Sequence, residues 1–293
     1  MKTNILIALR NLLEYKNNNQ LINFYNNKNS NNRINNMGTA LEYYIKDLFC
    51  SSLEITDFKE KDKIYNKYLS YLGNKNNPPD FIIRQSSAVE VKKIENLSFG
   101  DIALNSSYPK DYLYSSSTLI TQKCRDCEDE FGAWVKKDMI YAIGNVVRNK
   151  LRVLWLLDGA CYCADQSLYS SVKNIIHDGI EDIVGIEFKK TKELGKINKI
   201  DELGITNLRI RGMWSIQHPM KVFSSIIGEY DENVNLQVYC LILKEKYDIL
   251  PSKDKESLLK YVDNQSLLIE NVKIKNPNNI NDSLDAVLLK AQI

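Results

Sequence analysis

Residues 78–93, PPDFIIRQSSAVEVKK, constrain this chain more than any other stretch. Two prolines and an Asp lead into the run FIIR. Gln85-Ser86-Ser87 then makes a polar turn into AVEVKKI. Short β-branched runs separated by a polar turn read as a β-hairpin. Side chains alternate across a strand, so Glu90 and Lys92 share one face while Val89, Val91 and Lys93 share the other. Two strand rises separate the Cα atoms of Glu90 and Lys92 by roughly 7 Å. Asp80 stands at the mouth of the antiparallel neighbour, so an Asp, a Glu and a Lys converge from two adjacent strands. Two carboxylates offer hard oxygen ligands to Mg²⁺. That ion acidifies a bound water and offsets charge building on a phosphate. A Lys beside it can orient the water, donate to the developing oxyanion, or act as a base if its pKa is depressed. The plain alternative is an ordinary solvated strand face.

The rest of the chain reads as one α/β unit without internal repeats. MKTNILIALRNLLEYK has apolar residues at helical spacing, too short and too interrupted for a secretory segment. An Asn-rich stretch follows at 16–36 and reads as loop. MGTALEYYIKDLFC is a helix with Met37, Leu41, Ile45 and Leu48 on one face and Glu42 beside it. KDKIYNKYLSYLG reads as a second helix stopped by Gly73. DMIYAIGNVV and LRVLWLLDG form a strand pair through Arg148-Asn149-Lys150. A helix near Ser167 to Val184, a strand GIEF, and strands in TNLRIRGMWSIQ and NLQVYCLIL come next. PSKDKESLLKYV is a late helix. Three parts are expected: residues 1–36 as helix and lead-in, 37–190 as the core, and 191–293 as a C-terminal α/β extension packed on that core.

Scarcity narrows the chemistry. The 293 residues contain two histidines, His177 and His218, so a three-His metal site is excluded. Net charge is +2, so any nucleic-acid surface must be a local patch. No apolar run approaches membrane-spanning length, and a cytoplasmic protein is expected. The six cysteines read as thiols rather than disulfides. Cys124 and Cys127, with Cys161 and Cys163, form two close pairs that could hold tetrahedral zinc. No Gly-rich knuckle surrounds either pair, and reduced thiols are the competing reading.

Pro79-Asp80, nine residues, then Glu90-Val91-Lys92 resembles the PD-(D/E)XK nuclease signature. An acid on the preceding helix fits that pattern, and Glu42 is either that third ligand or a surface helix charge. NPPDFIIRQSSAVEVKKIE, ALNSSYPKDYLYSSSTLITQKCRDCE and KKDMIYAIGNVVRNKLRVLWLLDGACYCAD resemble consecutive blocks of the NgoPII-type family of type II restriction endonucleases. The resemblance spans roughly residues 30–165. It implies a restriction-endonuclease-like mixed β-sheet core flanked by helices, with Asp80, Glu90 and Lys92 catalytic. Asp80, Glu90 and Glu42 would be the Mg²⁺ ligands. It further implies cleavage of double-stranded DNA at a short GC-rich palindrome such as GGCC, by a homodimer accompanied by a DNA methyltransferase. A structure-specific repair nuclease and an inactive DNA-binding module with a cysteine zinc site are the other readings. The intact Asp80, Glu90 and Lys92 set speaks against the inactive one.

Three acid-poor stretches are candidate DNA surfaces. Residues 203–228 carry Arg209, Arg211, His218 and Lys221; 139–157 carry Arg148, Lys150 and Arg152; 102–123 carry Lys110 and Lys123. Asn105, Lys110, Arg125, Asp126 and Glu128 supply the side-chain types that read base edges.

Overall fold

In the computed structural model, described residues are 2–15, 37–74, 76–181, 187–189, 195–198, 201–203 and 205–293. The expected loop at 16–36 lies outside them. Helix α1 (Ile5–Glu14) leads to α2 (Met37–Cys50) and α3 (Phe58–Tyr68). Strands follow in chain order: β1 (Leu69–Tyr71), β2 (Phe81–Ile83), β3 (Ala88–Ile94), β4 (Ile102–Asn105), β5 (Tyr112–Tyr114), β6 (Lys136–Val147) and β7 (Lys150–Asp158). Helix α4 (Gln166–Glu181) precedes β8 (Glu187–Lys189), β9 (Gly195–Asn198), β10 (Leu208–Ile210), β11 (Trp214–Ile216) and β12 (Gln237–Leu243). Helix α5 (Ser252–Asp263), β13 (Leu267–Asn276) and β14 (Asn279–Gln292) complete the chain.

Among the described residues, nine strands form one mixed sheet ordered β1-β2-β3-β6-β7-β12-β14-β13, with β5 on β6. β3 and β6 run parallel, as do β7 and β12; the other pairs along this order are antiparallel. Strands β6, β7 and β12 read as near-continuous apolar runs because both of their faces are covered. Ile140, Ala142, Leu154, Leu156, Val238 and Cys240 pack on the side of α1, α2 and α5. Tyr141, Ile143, Trp155, Leu157, Tyr239 and Leu241 pack on the other side, with Phe223 and Met220. This is the α/β class with a mixed sheet flanked by helices that the sequence predicts.

Several elements depart from expectation. The second helix ends at Tyr68, and the chain extends into β1 before Gly73. TNLRIRGMWSIQ splits: β10 joins β9 and β8, whereas β11 pairs with β4. The long β13–β14 hairpin is new, and β12, β14 and β13 continue the same sheet as β3 and β6. The asparagine at position 4 caps α1 by accepting from the Leu6 and Ile7 N–H groups. Its amide also donates to Asp254 on α5 at 2.7 Å, tying the two ends of the chain together.

Candidate active site

Asp80 stands one residue before β2, where the hairpin backbone pairing begins. Its N–H donates to the Val89 carbonyl at 3.0 Å. Its Oδ2 accepts from the Val91 N–H at 2.6 Å, which folds the carboxylate over β3 between Glu90 and Lys92 in sequence. Gly73 fixes this position from the other side. A Cβ at residue 73 would lie 2.0 Å from the Asp80 carbonyl oxygen, and φ there is +80°. Only glycine permits that approach.

Glu90 and Lys92 share a face, as strand alternation requires, and Lys92 Nζ donates to Glu90 Oε1 at 2.8 Å. Glu90 Oε2 is buried and has no hydrogen-bond partner among the described atoms. Lys93 turns the other way and pairs with exposed Glu95. Helix α2 brings Glu42 near enough for its charge to act on Asp80. Glu42 is itself paired with Lys46 at 2.6 Å, and Lys46 also donates to the Leu72 carbonyl.

The electrostatics follow from burial among like charges. Burial pushes the Asp80 carboxyl well above the ordinary range, and the Glu90 and Glu42 charges push it further. The Val91 N–H and Lys92 offset only part of this. Burial alone would depress Lys92, but Glu90 and then Asp80 hold its ammonium above the ordinary lysine value. Lys92 is therefore a cation here, suited to donating and orienting, and not a free base.

The arrangement fits a divalent cation. Asp80 and Glu90 face one paired lysine, Lys92, and Asp80 is buried among like charges with no cation of its own. Mg²⁺ commonly takes one or two carboxylates and completes its shell with water and phosphate oxygens. Among the described residues, no group of three or more His, Cys, Asp or Glu is placed to hold a metal ion. Asp80 and Glu90 are the two acids that line the cleft, whereas Glu42 is paired with Lys46. A cleft of about 350 Å³ opens over Asp80, Glu90 and Lys92, walled by Asn74, Asn77, Asn105 and Ser107.

A scan against protein families finds the NgoPII restriction endonuclease family over residues 3–275. The type II restriction enzyme NgoPII of Neisseria gonorrhoeae is 41% identical over 279 residues, covering 94% of this chain and 95% of that protein. The chain belongs to the NgoPII restriction endonuclease family. The activity that comes with this membership is that of a type II restriction enzyme, a site-specific deoxyribonuclease. The likeness to the NgoPII family extends well beyond residues 30–165, to residue 275 within β13. No solved structure matches the chain.

Against that family background the candidate DNA-contacting residues divide. Asn105 is exposed at the end of β4, has φ +54°, and walls the cleft. Arg148 and Lys150 are exposed at the β6–β7 turn, and Arg209 and Arg211 are exposed on or beside β10. Arg125 instead donates to the Ser115 and Ser117 carbonyls, and Arg152 to those of Glu232 and Val234. Both hold loops in place. Glu128 is buried and accepts from Lys137, Ser70 and the Gln85 N–H, so it is a structural hub and not a base reader. Lys110 is buried beside Glu90 and Lys92, and not exposed to duplex DNA. Burial lowers its ammonium to about 8, with Glu90 opposing that shift and Lys92 adding to it.

The cysteines are all free thiols. Cys124 and Cys127 influence each other, whereas Cys161 lies near Asp158 and Cys240, and Cys163 near Tyr141 and Lys110. Burial raises all four thiols, and no zinc-holding cluster exists among the described residues. They do not fit a shared zinc site. Sequence reasoning missed Tyr141 and Ser107, which line the inner wall behind Glu90. The signal available was weak: Tyr141 is directly opposite Glu90 if β3 and β6 are paired in register.

Proposed function

We propose that the chain is the Mg²⁺-dependent endonuclease of a restriction–modification system, hydrolysing phosphodiesters of double-stranded DNA at a short GC-rich palindrome such as GGCC. The observation that carries this reading is the Asp80, Glu90 and Lys92 set, gathered on one hairpin under an open cleft in a chain of the NgoPII family. Asp80 and Glu90 would hold the Mg²⁺, which when bound would supply an acidified water and charge for the phosphate oxygens. Glu90 Oε1 accepts from the Lys92 ammonium, and both side chains line the cleft. There Lys92 orients the attacking water and donates to the phosphate oxygen as negative charge develops. Asn105 on the cleft wall contacts the DNA near the scissile bond. Arg148, Lys150, Arg209 and Arg211 supply phosphate contacts further along the duplex.

A palindrome is most simply met by a two-fold dimer, each copy cutting one strand. A cognate methyltransferase protects the host sites, and the protein acts in the cytoplasm. No described helix is long and apolar enough to cross a membrane. Plasmid DNA incubated with the protein and Mg²⁺ is expected to give discrete bands that EDTA abolishes. A smear, or bands that persist in EDTA, overturns the proposal.

A further inference from the structure

Behind Glu90 lies a small cavity of about 10 Å³, bounded by Glu90, Lys92, Ser107, Lys110 and Tyr141 among others. That is about the room one water molecule's centre requires. Lys110 is 5% exposed, and its ammonium donates to the Ser107 hydroxyl and, at 3.0 Å, to the Tyr108 carbonyl. Both partners are neutral. The ammonium also lies 5.0 Å from the Tyr108 ring centre. Burying a lysine without a carboxylate partner costs several kcal/mol.

The fold holds this lysine deliberately in place. The Lys110 N–H donates to the Tyr141 hydroxyl at 2.8 Å, anchoring the loop to β6 opposite Glu90. Gly159 packs beneath the same loop, where a Cβ would lie 2.6 Å from the Lys110 carbonyl oxygen. Glu90 lines the same cavity, and its Oε2 is buried without a hydrogen-bond partner among the described atoms. A buried lysine and a glutamate with a buried unpartnered oxygen therefore line one water-sized space.

We propose that Lys110 is a positioning residue for the hydrolysis, fixing the inner oxygen of Glu90 across a single water seated in this cavity. Lys92 holds the outer oxygen directly, so the carboxylate is gripped from both sides and cannot rotate. This rests on the reading of Asp80 and Glu90 as the metal ligands. Mg²⁺ demands near-ideal octahedral geometry, so it is sensitive to a ligand that swings. Mn²⁺ shares the preference for carboxylates and serves as the comparison ion.

The test uses the full-length protein and a short duplex carrying the site mapped by plasmid digestion. In K110M, single-turnover cleavage in Mg²⁺ is expected to fall at least roughly tenfold, with DNA affinity within about threefold of wild type. Calorimetric titration should show weaker Mg²⁺ binding, and Mn²⁺ should recover part of the lost rate. A Mg²⁺ rate and Mg²⁺ affinity equal to wild type overturn the proposal. Equal losses in both metals, with unchanged Mg²⁺ binding, also overturn it, because they mark a merely structural role. If K110M fails to unfold cooperatively, Ser107→Ala takes its place. That variant loses the ammonium's hydroxyl partner and should show the same pattern at about threefold; a wild-type pattern overturns the proposal. Glu90→Gln is run beside them. If it still cuts, the metal-site reading itself has failed; if it is dead while K110M behaves as wild type, only the role of Lys110 is wrong.

Discussion

Helix α2 carries acids into two carboxylate–lysine clusters that are completed in opposite ways. At Asp47 the carboxylate is fully buried and accepts from Ser52 Oγ at 2.5 Å, from the Tyr65 hydroxyl at 2.7 Å and from Lys61. There the carboxylate meets a lysine and two hydroxyls. At the hairpin, Asp80, Glu90 and Glu42 crowd together; Lys92 pairs with Glu90 and Lys46 with Glu42, but no cation pairs with Asp80 among the described contacts. The first cluster joins α2 to α3 and is finished within the chain. The second leaves Asp80, buried among like charges, without a cation of its own under an open cleft. A carboxylate retained in that condition is useful when something outside the chain completes it.

The largest expected effect separates the clusters by function. Asp80→Asn and Glu90→Gln should each slow single-turnover cleavage by roughly a thousandfold or more, at the upper end for loss of a group that stabilises developing charge. Gel-shift affinity for the duplex should hold, since each variant keeps the side-chain shape. Near wild-type cutting by either would erase the distinction. The mirror experiment is Asp47→Ala. It removes the carboxylate that buried Lys61 pairs with and should cost about 3–5 kcal/mol in denaturant unfolding. A cost under about 1 kcal/mol would show that the Asp47 cluster is no more structural than the hairpin.

A smaller effect sharpens the comparison within β3 itself. Lys92→Ala should reduce the single-turnover rate by at least about a hundredfold with little change in DNA affinity. Lys93→Ala should stay within a few-fold, because its ammonium pairs with exposed Glu95 on the opposite face. A greater loss at Lys93 would mean that the other strand face serves the chemistry. Among the acids the smallest effect belongs to Glu42→Gln, expected at about tenfold or less in rate, because Lys46 already pairs with it. A loss as deep as that of Asp80→Asn would make Glu42 a full metal ligand.

Local periodicity made much of this legible. Alternation in AVEVKK is enough to put Glu90 with Lys92 and to turn Lys93 away, and the 2.8 Å ion pair follows from it. The apolar runs around Tyr141, Trp155 and Tyr239 announce strands covered on both faces. What stayed hidden depends on contacts far apart in sequence. Lys110 looks like any basic loop residue until β6 and Gly159 draw its loop inward. Arg152 reads as a DNA contact because nothing nearby in sequence reveals the Glu232 and Val234 carbonyls that engage it. Trp214 and Arg209 appear to share one strand, yet β4 captures the first and β9 the second. The family blocks fade by eye after residue 165, although the matched region runs to 275.

Thermal unfolding with and without Mg²⁺ tests the central claim most directly, by comparing wild type with Asp80→Asn. Asp80 is buried among like charges, which raises its folded pKa above the unfolded value. The stability associated with its neutral form is present at low pH and is lost as pH rises through that folded pKa. At neutral pH without metal, Asp80→Asn should therefore unfold at the same temperature as wild type or higher. Adding Mg²⁺ at about ten times its Kd stabilises a protein that binds it by about 1.4 kcal/mol. For a chain of this size that is an upward shift of a few degrees in wild type, about 2–4 °C per kcal/mol. The variant should show no shift. An equal Mg²⁺ shift in both proteins, or a marked loss of stability in metal-free Asp80→Asn, would contradict the assignment of Asp80 and Glu90 as an unbalanced pair completed by a cation.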